Sequence, residues 1–380
     1  MPRYSHISVA IPMLDELANL PGLLGRLRCQ TFRQFILYCC VNNVEGGYGF
    51  AENQQCLRLL AEVSDIPLVV IDRSSPGLGW TGKKKGVGWA RKELFDRISS
   101  ECPDDELVIS LDADTDFHPS YFQVLLDTMN RHPAASAFSV PYYHPLSGND
   151  SLDRPMLRYE CYMRRYLLGL LRIGSPYAFT ALGSAIAFPL WAYRRVGGIT
   201  PLQGGEDFYL LQKFAKTGTL VTRFAPPLDN RLLAVRPQGR TSSRVPFGTG
   251  PAIARGIDAM DDAYPFYAEA AFDAIRATYD LFPALFDADI ETPMTLFLRQ
   301  QLRTDDLWSP LRRNFKSREL FVHACAERVD GLRILQFLKS NPDFRLPASQ
   351  LPVDFRRDPI AHLNAYRDTL FDACCPCLEN

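Results

Sequence analysis

Two pairs of acids stand where chemistry could be done. Asp112 and Asp114 close the apolar run Leu107-Val108-Ile109-Ser110-Leu111, and Glu206 and Asp207 follow Gly204-Gly205 at the start of a helical pattern. Carboxylate oxygens are hard ligands that hold Mg²⁺ or Mn²⁺ against substrate phosphates. A carboxylate held beside a glycine turn also suits general-base work on a hydroxyl. Both pairs have a structural reading as well: acids close strands, cap turns and suit the positive end of a helix dipole. Two basic stretches accompany them. Lys83, Lys84 and Lys85 stand at an expected helix start, where cations are disfavoured unless an anion is near. The stretch Arg236 to Gly250 reads as a loop in which Arg240 and Arg244 lie among hydroxyl side chains, a mixture that suits phosphate oxygens.

The elements that would position these groups alternate. Ile7 to Pro12, Phe35 to Val41, Pro67 to Ile71 and Leu107 to Leu111 read as strands, with helical patterns near Leu17 to Leu27, Ala51 to Val63 and Lys83 to Ile98 between them. Strand and helix alternating at this spacing predict an α/β fold with a doubly wound, mostly parallel sheet. In such sheets ligands sit beyond the carboxyl ends of the strands, where the first acid pair falls. Further strands are expected at Ala137 to Tyr143 and Ala181 to Phe188, with Gly183 and Ser184 as small residues near a ligand. An amphipathic helix is expected over Leu152 to Arg172. Asp116 is read as a helix cap, and the aromatic end at Tyr142-Tyr143 as core or a stacking surface. The predicted division is a core over residues 1–225 and a region over 226–380, a basic loop followed by mainly helical chain.

Composition narrows the partners. Among 380 residues, 42 basic side chains face 43 acidic ones without a long basic run, which argues against nucleic acid as a partner. The uncharged run between Arg172 and Arg194 contains Gly174, Pro176, Gly183 and Pro189, so it reads as a turn and strand rather than a transmembrane segment. No export signal is evident at Met1 to His6, so the expectation is a cytoplasmic protein, with peripheral association at the inner membrane face as an option. The ten cysteines are then read as reduced thiols, and Cys374, Cys375 and Cys377 as part of a frayed tail.

The set Val9-Ala10-Ile11-Pro12 with Glu16, Val41-Asn42-Asn43, Gly82-Lys83-Lys84-Lys85-Gly86, Asp112-Ala113-Asp114 and Gly205-Glu206-Asp207 resembles the family 2 glycosyltransferases of GT-A (Rossmann-like) fold. The resemblance spans about residues 7 to 225. It implies an inverting, metal-dependent transferase that moves a sugar from a nucleotide-diphosphate sugar to an acceptor hydroxyl, in glycan or cell-surface polysaccharide synthesis. Carried over by motif, Pro12 and Glu16 line the base and ribose pocket, and Asn42 or Asn43 stands where the family usually has aspartate. Lys83 aligns with a basic residue near base or phosphates. Asp114 binds Mn²⁺ or Mg²⁺ directly, while Asp112 reaches ribose, or the metal through water. Asp207 is the general base and Glu206 its helper. The loop arginines Arg240 and Arg244 neutralise the leaving diphosphate, and the helix Leu152 to Arg172 borders the acceptor, a carbohydrate or lipid-linked glycan. The Gln-x-x-Arg-Trp loop of membrane synthases is absent, which argues against a processive synthase.

Two other readings stand beside this one: a retaining sugar transferase on the same fold, and a non-catalytic partner in a polysaccharide-assembly complex. A nucleotidyltransferase is disfavoured because no glycine-rich phosphate loop follows the first strand.

Overall fold

The computed structural model describes residues 4–222, 233–241 and 248–375. Two compact units are distinguished, one of Met1–Tyr159 and Phe179–Ile257 with the tail from Cys375, the other of Glu160–Ala178 and Asp258–Cys374.

The first unit holds a seven-stranded sheet in the order β3-β2-β1-β4-β7-β6-β8. Its strands are β1 (Ile7–Met13), β2 (Phe35–Asn42), β3 (Leu68–Arg73), β4 (Leu107–Ser110), β6 (Ala135–Ser139), β7 (Ile186–Pro189) and β8 (Thr219–Val221). The pairs β1·β2, β2·β3, β1·β4 and β6·β8 are parallel, and β7 runs antiparallel to both β4 and β6. Sheets of this kind need cover on both faces, and their central strands read as unbroken apolar runs. β1 and β4 fit that description, with Ile7, Val9, Ile11, Leu107, Val108 and Ile109 all fully buried.

The reversed β7 has a consequence for function. Because Ser110 at the end of β4 lies opposite Ile186 at the start of β7, the segment before β7 reaches the same sheet edge as the residues after β4. Small side chains at Gly183 and Ser184 are therefore delivered to the edge that carries Asp112 and Asp114.

Helices α1 (Leu20–Arg28), α2 (Phe50–Ala61), α3 (Val87–Glu101), α4 (Tyr121–Arg131), α6 (Leu190–Arg195) and α7 (Glu206–Thr217) belong to this unit, and α5 (Asp150–Arg172) begins in it. An aromatic cluster helps to seat α3, α6 and α7 on β7: Phe95 meets Phe188 edge-on at 5.1 Å, Tyr193 stacks on Phe188, and Phe214 lies 5.3 Å from Phe188. A two-stranded ladder of β5 (Thr115–Asp116) and β9 (Arg236–Pro237) ties the chain before Arg240 to the chain just after Asp114.

Several boundaries differ from the sequence reading. The third strand runs to Arg73 and the sixth ends at Ser139, so Tyr142 and Tyr143 lie beyond it. Helix α3 starts at Val87, which leaves Lys83, Lys84 and Lys85 exposed in the turn before it rather than on its first turn. Asp116 caps no helix. Its carboxylate accepts from its neighbour Phe117 N–H and faces Arg26 at 3.7 Å, and Ser120 precedes α4.

The second unit is helical, including Glu269–Leu281, Pro293–Leu302, Arg318–Arg328, Gly331–Ser340 and Ile360–Cys374. Its interior contains charge. Arg164 donates to Glu160 through Nε at 3.1 Å and Nη2 at 2.6 Å, while Arg367 Nη1 lies 3.5 Å from the other carboxylate oxygen. All three side chains are at most 2% exposed. Two arginines of the amphipathic helix α5, Arg158 and Arg164, are buried rather than on a solvated face. No helix among the described residues is long and apolar enough to cross a membrane, and no disulfide joins the described cysteines to one another.

Candidate active site

The carboxyl edge of the first unit's sheet opens into a cavity of about 250 Å³. Pro12 of β1, Asn42 at the end of β2, Asp112 and Asp114 beyond β4, and Gly183 and Ser184 ahead of β7 all line it. Glu16, Arg91, Glu206, Asp207 and Arg240 add further acidic and basic lining. Residues from motifs far apart in the chain are thus brought to one place by the sheet.

The second acid pair arrives through a turn. Gly205 has φ +80°, a left-handed conformation that glycine adopts without a Cβ penalty, and α7 starts at the next residue. Asp207 Oδ1 accepts from Phe208 N–H at 2.8 Å, and Glu206 is 2% exposed.

Between the pairs lies a residue with no role in the motif reading. Arg91, from the second turn of α3, donates to Asp112 Oδ1 at 2.6 Å and also to Glu206 Oε1. Its side chain is only 5% exposed. A Cβ on Gly183 would overlap its guanidinium, so a glycine is needed where the two segments meet. Burial alone works against the Arg91 charge, and Asp112, Glu206 and Asp207 together outweigh it, so its pKa is raised. Burial in turn pushes Glu206 up to about 7, against the opposing pull of Arg91 and with a contribution from Asp207. Asp207 is raised for the same first reason, with Arg91 again opposing.

A second arginine acts at the other end. Arg240 Nε stands 2.9 Å from Asp114 Oδ2, and its Nη2 donates to Glu16 Oε1. Burial lowers the Arg240 pKa and the two carboxylates more than restore it.

The remaining candidates fall out as follows. Asn43 lies outside the lining, since its amide is engaged internally: Nδ2 donates to Val44 O at 2.8 Å, and Oδ1 accepts from Asn53 and Ser74. Of the two amides it is Asn42 that borders the cavity. Lys83 is exposed and outside it, and Arg244 lies outside the described residues. His144 also lines the cavity and carried no sequence signal, while Gln238 and Thr249 come from the loop read as suited to phosphate. Ser184 is fully buried, and its Oγ has no hydrogen-bond partner among the described residues.

No group of three or more His, Cys, Asp or Glu side chains among the described residues is arranged to hold a metal ion. The described residues therefore offer no all-protein cage. Two carboxylates at Asp112 and Asp114 do fit the way Mg²⁺ is commonly held, by one or two carboxylates with water and substrate phosphates completing the shell.

No family model and no curated protein matches the chain. Solved structures resemble it weakly. The mannosyltransferase PcManGT from Pyrobaculum calidifontis, in complex with GDP-Man and Mn²⁺, is 14% identical over 97% of this chain and 85% of that one, with a TM-score of 0.40. TarS of S. aureus is 13% identical over 85% of this chain and 55% of that one, at 0.43. Mouse xyloside xylosyltransferase 1, in its apo form, is 12% identical over 58% of this chain and 87% of that one, at 0.31. At such identities and scores these likenesses carry no argument about what the chain does.

Proposed function

We propose that the protein is an inverting glycosyltransferase of GT-A fold and family 2 type, using a nucleotide-diphosphate sugar and Mg²⁺ or Mn²⁺. The observation that supports this reading is the meeting of Asp112-Ala113-Asp114 and Glu206-Asp207 on one cavity at the carboxyl edge of the sheet. The motif order gives the donor side to the first pair and the acceptor side to the second.

In this mechanism Asp114 would hold the metal, with Asp112 reaching ribose or the metal through water, and the metal would supply positive charge for a departing diphosphate. Pro12, Glu16 and Asn42 border the nucleoside. Gly183 and Ser184 are small enough for the backbone to approach the sugar. Asp207 takes the proton of the acceptor hydroxyl as its oxygen forms a bond to the anomeric carbon. The anomeric carbon–oxygen bond to the diphosphate breaks with its electron pair on the diphosphate oxygen, which Arg240 neutralises. A base works best when its pKa approaches the operating pH, and the upward shift of Asp207 moves it that way. The acceptor is a carbohydrate or lipid-linked glycan, in polysaccharide assembly at the cytoplasmic face.

A ligand bound only by the folded state raises the melting temperature. The test is therefore thermal stabilisation by a panel of nucleoside diphosphates and their sugars, with and without Mn²⁺ or Mg²⁺. One nucleotide should stabilise in a metal-dependent way, and Asp114→Ala should lose the effect. Asp207→Asn should keep donor binding and lose transfer. No stabilisation by any nucleotide would sink the reading and favour a non-catalytic assembly partner.

A further inference from the structure

We propose that Arg240 is a resident cation that a divalent metal must displace, so that metal binding moves this arginine from the carboxylates of Glu16 and Asp114 onto the incoming diphosphate. The inference rests on the glycosyltransferase reading for its metal and diphosphate, and on the geometry of this chain for everything else.

The two arginines of the cavity differ in how firmly they are held. Arg91 is buried, is in contact with carboxylates on both sides, and is backed by Gly183. It has no way to leave Asp112 without abandoning Glu206. Arg240 has 33% of its side chain exposed and stands three residues beyond the short β9 ladder. It nevertheless holds acids that are themselves mostly buried: Asp114 is 12% exposed and Glu16 is 8% exposed.

Asp114 is the carboxylate assigned to the metal, and the oxygen facing Arg240 Nε at 2.9 Å is one of its two possible donor atoms. A guanidinium at that oxygen and a divalent cation on the same carboxylate repel each other at close range in a partly buried site. Occupation by one weakens occupation by the other, and the coupling is reciprocal. Once displaced, Arg240 has five N–H donors and no acid to hold, and a diphosphate is the anion whose geometry matches that fork. A cation is thus kept against the acids while the site awaits its ligands, and it is reused when they arrive. Arg240 therefore affects the metal and the diphosphate with opposite sign.

That pair of signs is the test. Binding of MnCl₂ alone, and of inorganic pyrophosphate in the presence of Mn²⁺, is measured by titration calorimetry on the full chain for wild type, Arg240→Gln and Arg240→Lys. Arg240→Gln should bind Mn²⁺ alone about 10-fold more tightly, within the usual span of coupling between sites, and should bind pyrophosphate with Mn²⁺ more weakly. Arg240→Lys keeps the charge and should stay near wild type for the metal. Unchanged or weaker Mn²⁺ binding in Arg240→Gln overturns the proposal, as does weakening of both ligands together, which marks a merely structural role. Absence of Mn²⁺ binding in all three proteins also overturns it. Failure of the transferase reading shows elsewhere, as wild type that binds Mn²⁺ and pyrophosphate but no nucleotide.

Discussion

Arg91 is the residue on which the acids of the two motifs converge. It opposes the rise of both Glu206 and Asp207, so its loss should raise both further. A general base must be ionised to act, and activity falls as pH drops through its pKa. With Asp207 shifted upward by burial, the acidic limb of the rate profile should lie above the ordinary carboxylate range, and Arg91→Met should move that limb to still higher pH. Measuring kcat/KM against pH for the two proteins checks this, and an unmoved limb would remove Arg91 from any control of the base. Stability should follow the same groups. Glu206 binds its proton more firmly folded than unfolded, so this residue's contribution to stability declines as pH rises from 4.5 towards about 7.

At the scale of elements, the question is how the loop before β7 and the helix α3 come close enough to share Arg91. Gly183→Ala puts a methyl group into the guanidinium, and overpacking of this kind costs about 1–3 kcal/mol. Denaturant unfolding should show that loss, and an Arg91→Ala background should relieve much of it, giving a coupling of about 0.5–3 kcal/mol in the double-mutant cycle. Additive effects would mean that the two elements tolerate each other without this contact. The sequence carried half of this arrangement. The acids were legible because each pair interrupts an apolar pattern, at a strand end and at a glycine turn. Gly183 and Ser184 were legible as small residues, though the antiparallel β7 that delivers them was not, since a short apolar run has no direction. Arg91 was hidden because it sits in a helix with Lys92, Glu93, Asp96 and Arg97, where one more charge reads as solvated surface. Its partners lie 21 and 115 positions away, and only the sheet brings them near. Asn42 and Asn43 could not be told apart because they share a chemistry, and it is Asn42 that borders the cavity while the Asn43 amide is engaged internally.

At the scale of the whole molecule the two units should lose structure separately when one of them is weakened. The second unit keeps Arg164 and Arg367 on Glu160 in a nearly solvent-free interior. Desolvation makes such a group a poor source of net stability, yet removing one partner from a buried charge cluster costs about 3–5 kcal/mol. Glu160→Gln should therefore be strongly destabilising. Joint replacement of Glu160, Arg164 and Arg367 by leucine and methionine of similar volume should recover most of the loss, because it removes the desolvation cost along with the contacts. The same variant separates the units. The cavity and all its lining belong to the first unit, so Mn²⁺ with pyrophosphate stabilises that unit by mass action and has no direct hold on the other. In Glu160→Gln, calorimetric unfolding should split into two transitions, of which the ligands raise only the upper. A single transition that the ligands move as a whole would instead mean that the chain unfolds as one cooperative body, with the buried arginines contributing to the stability of the active-site unit as well as their own.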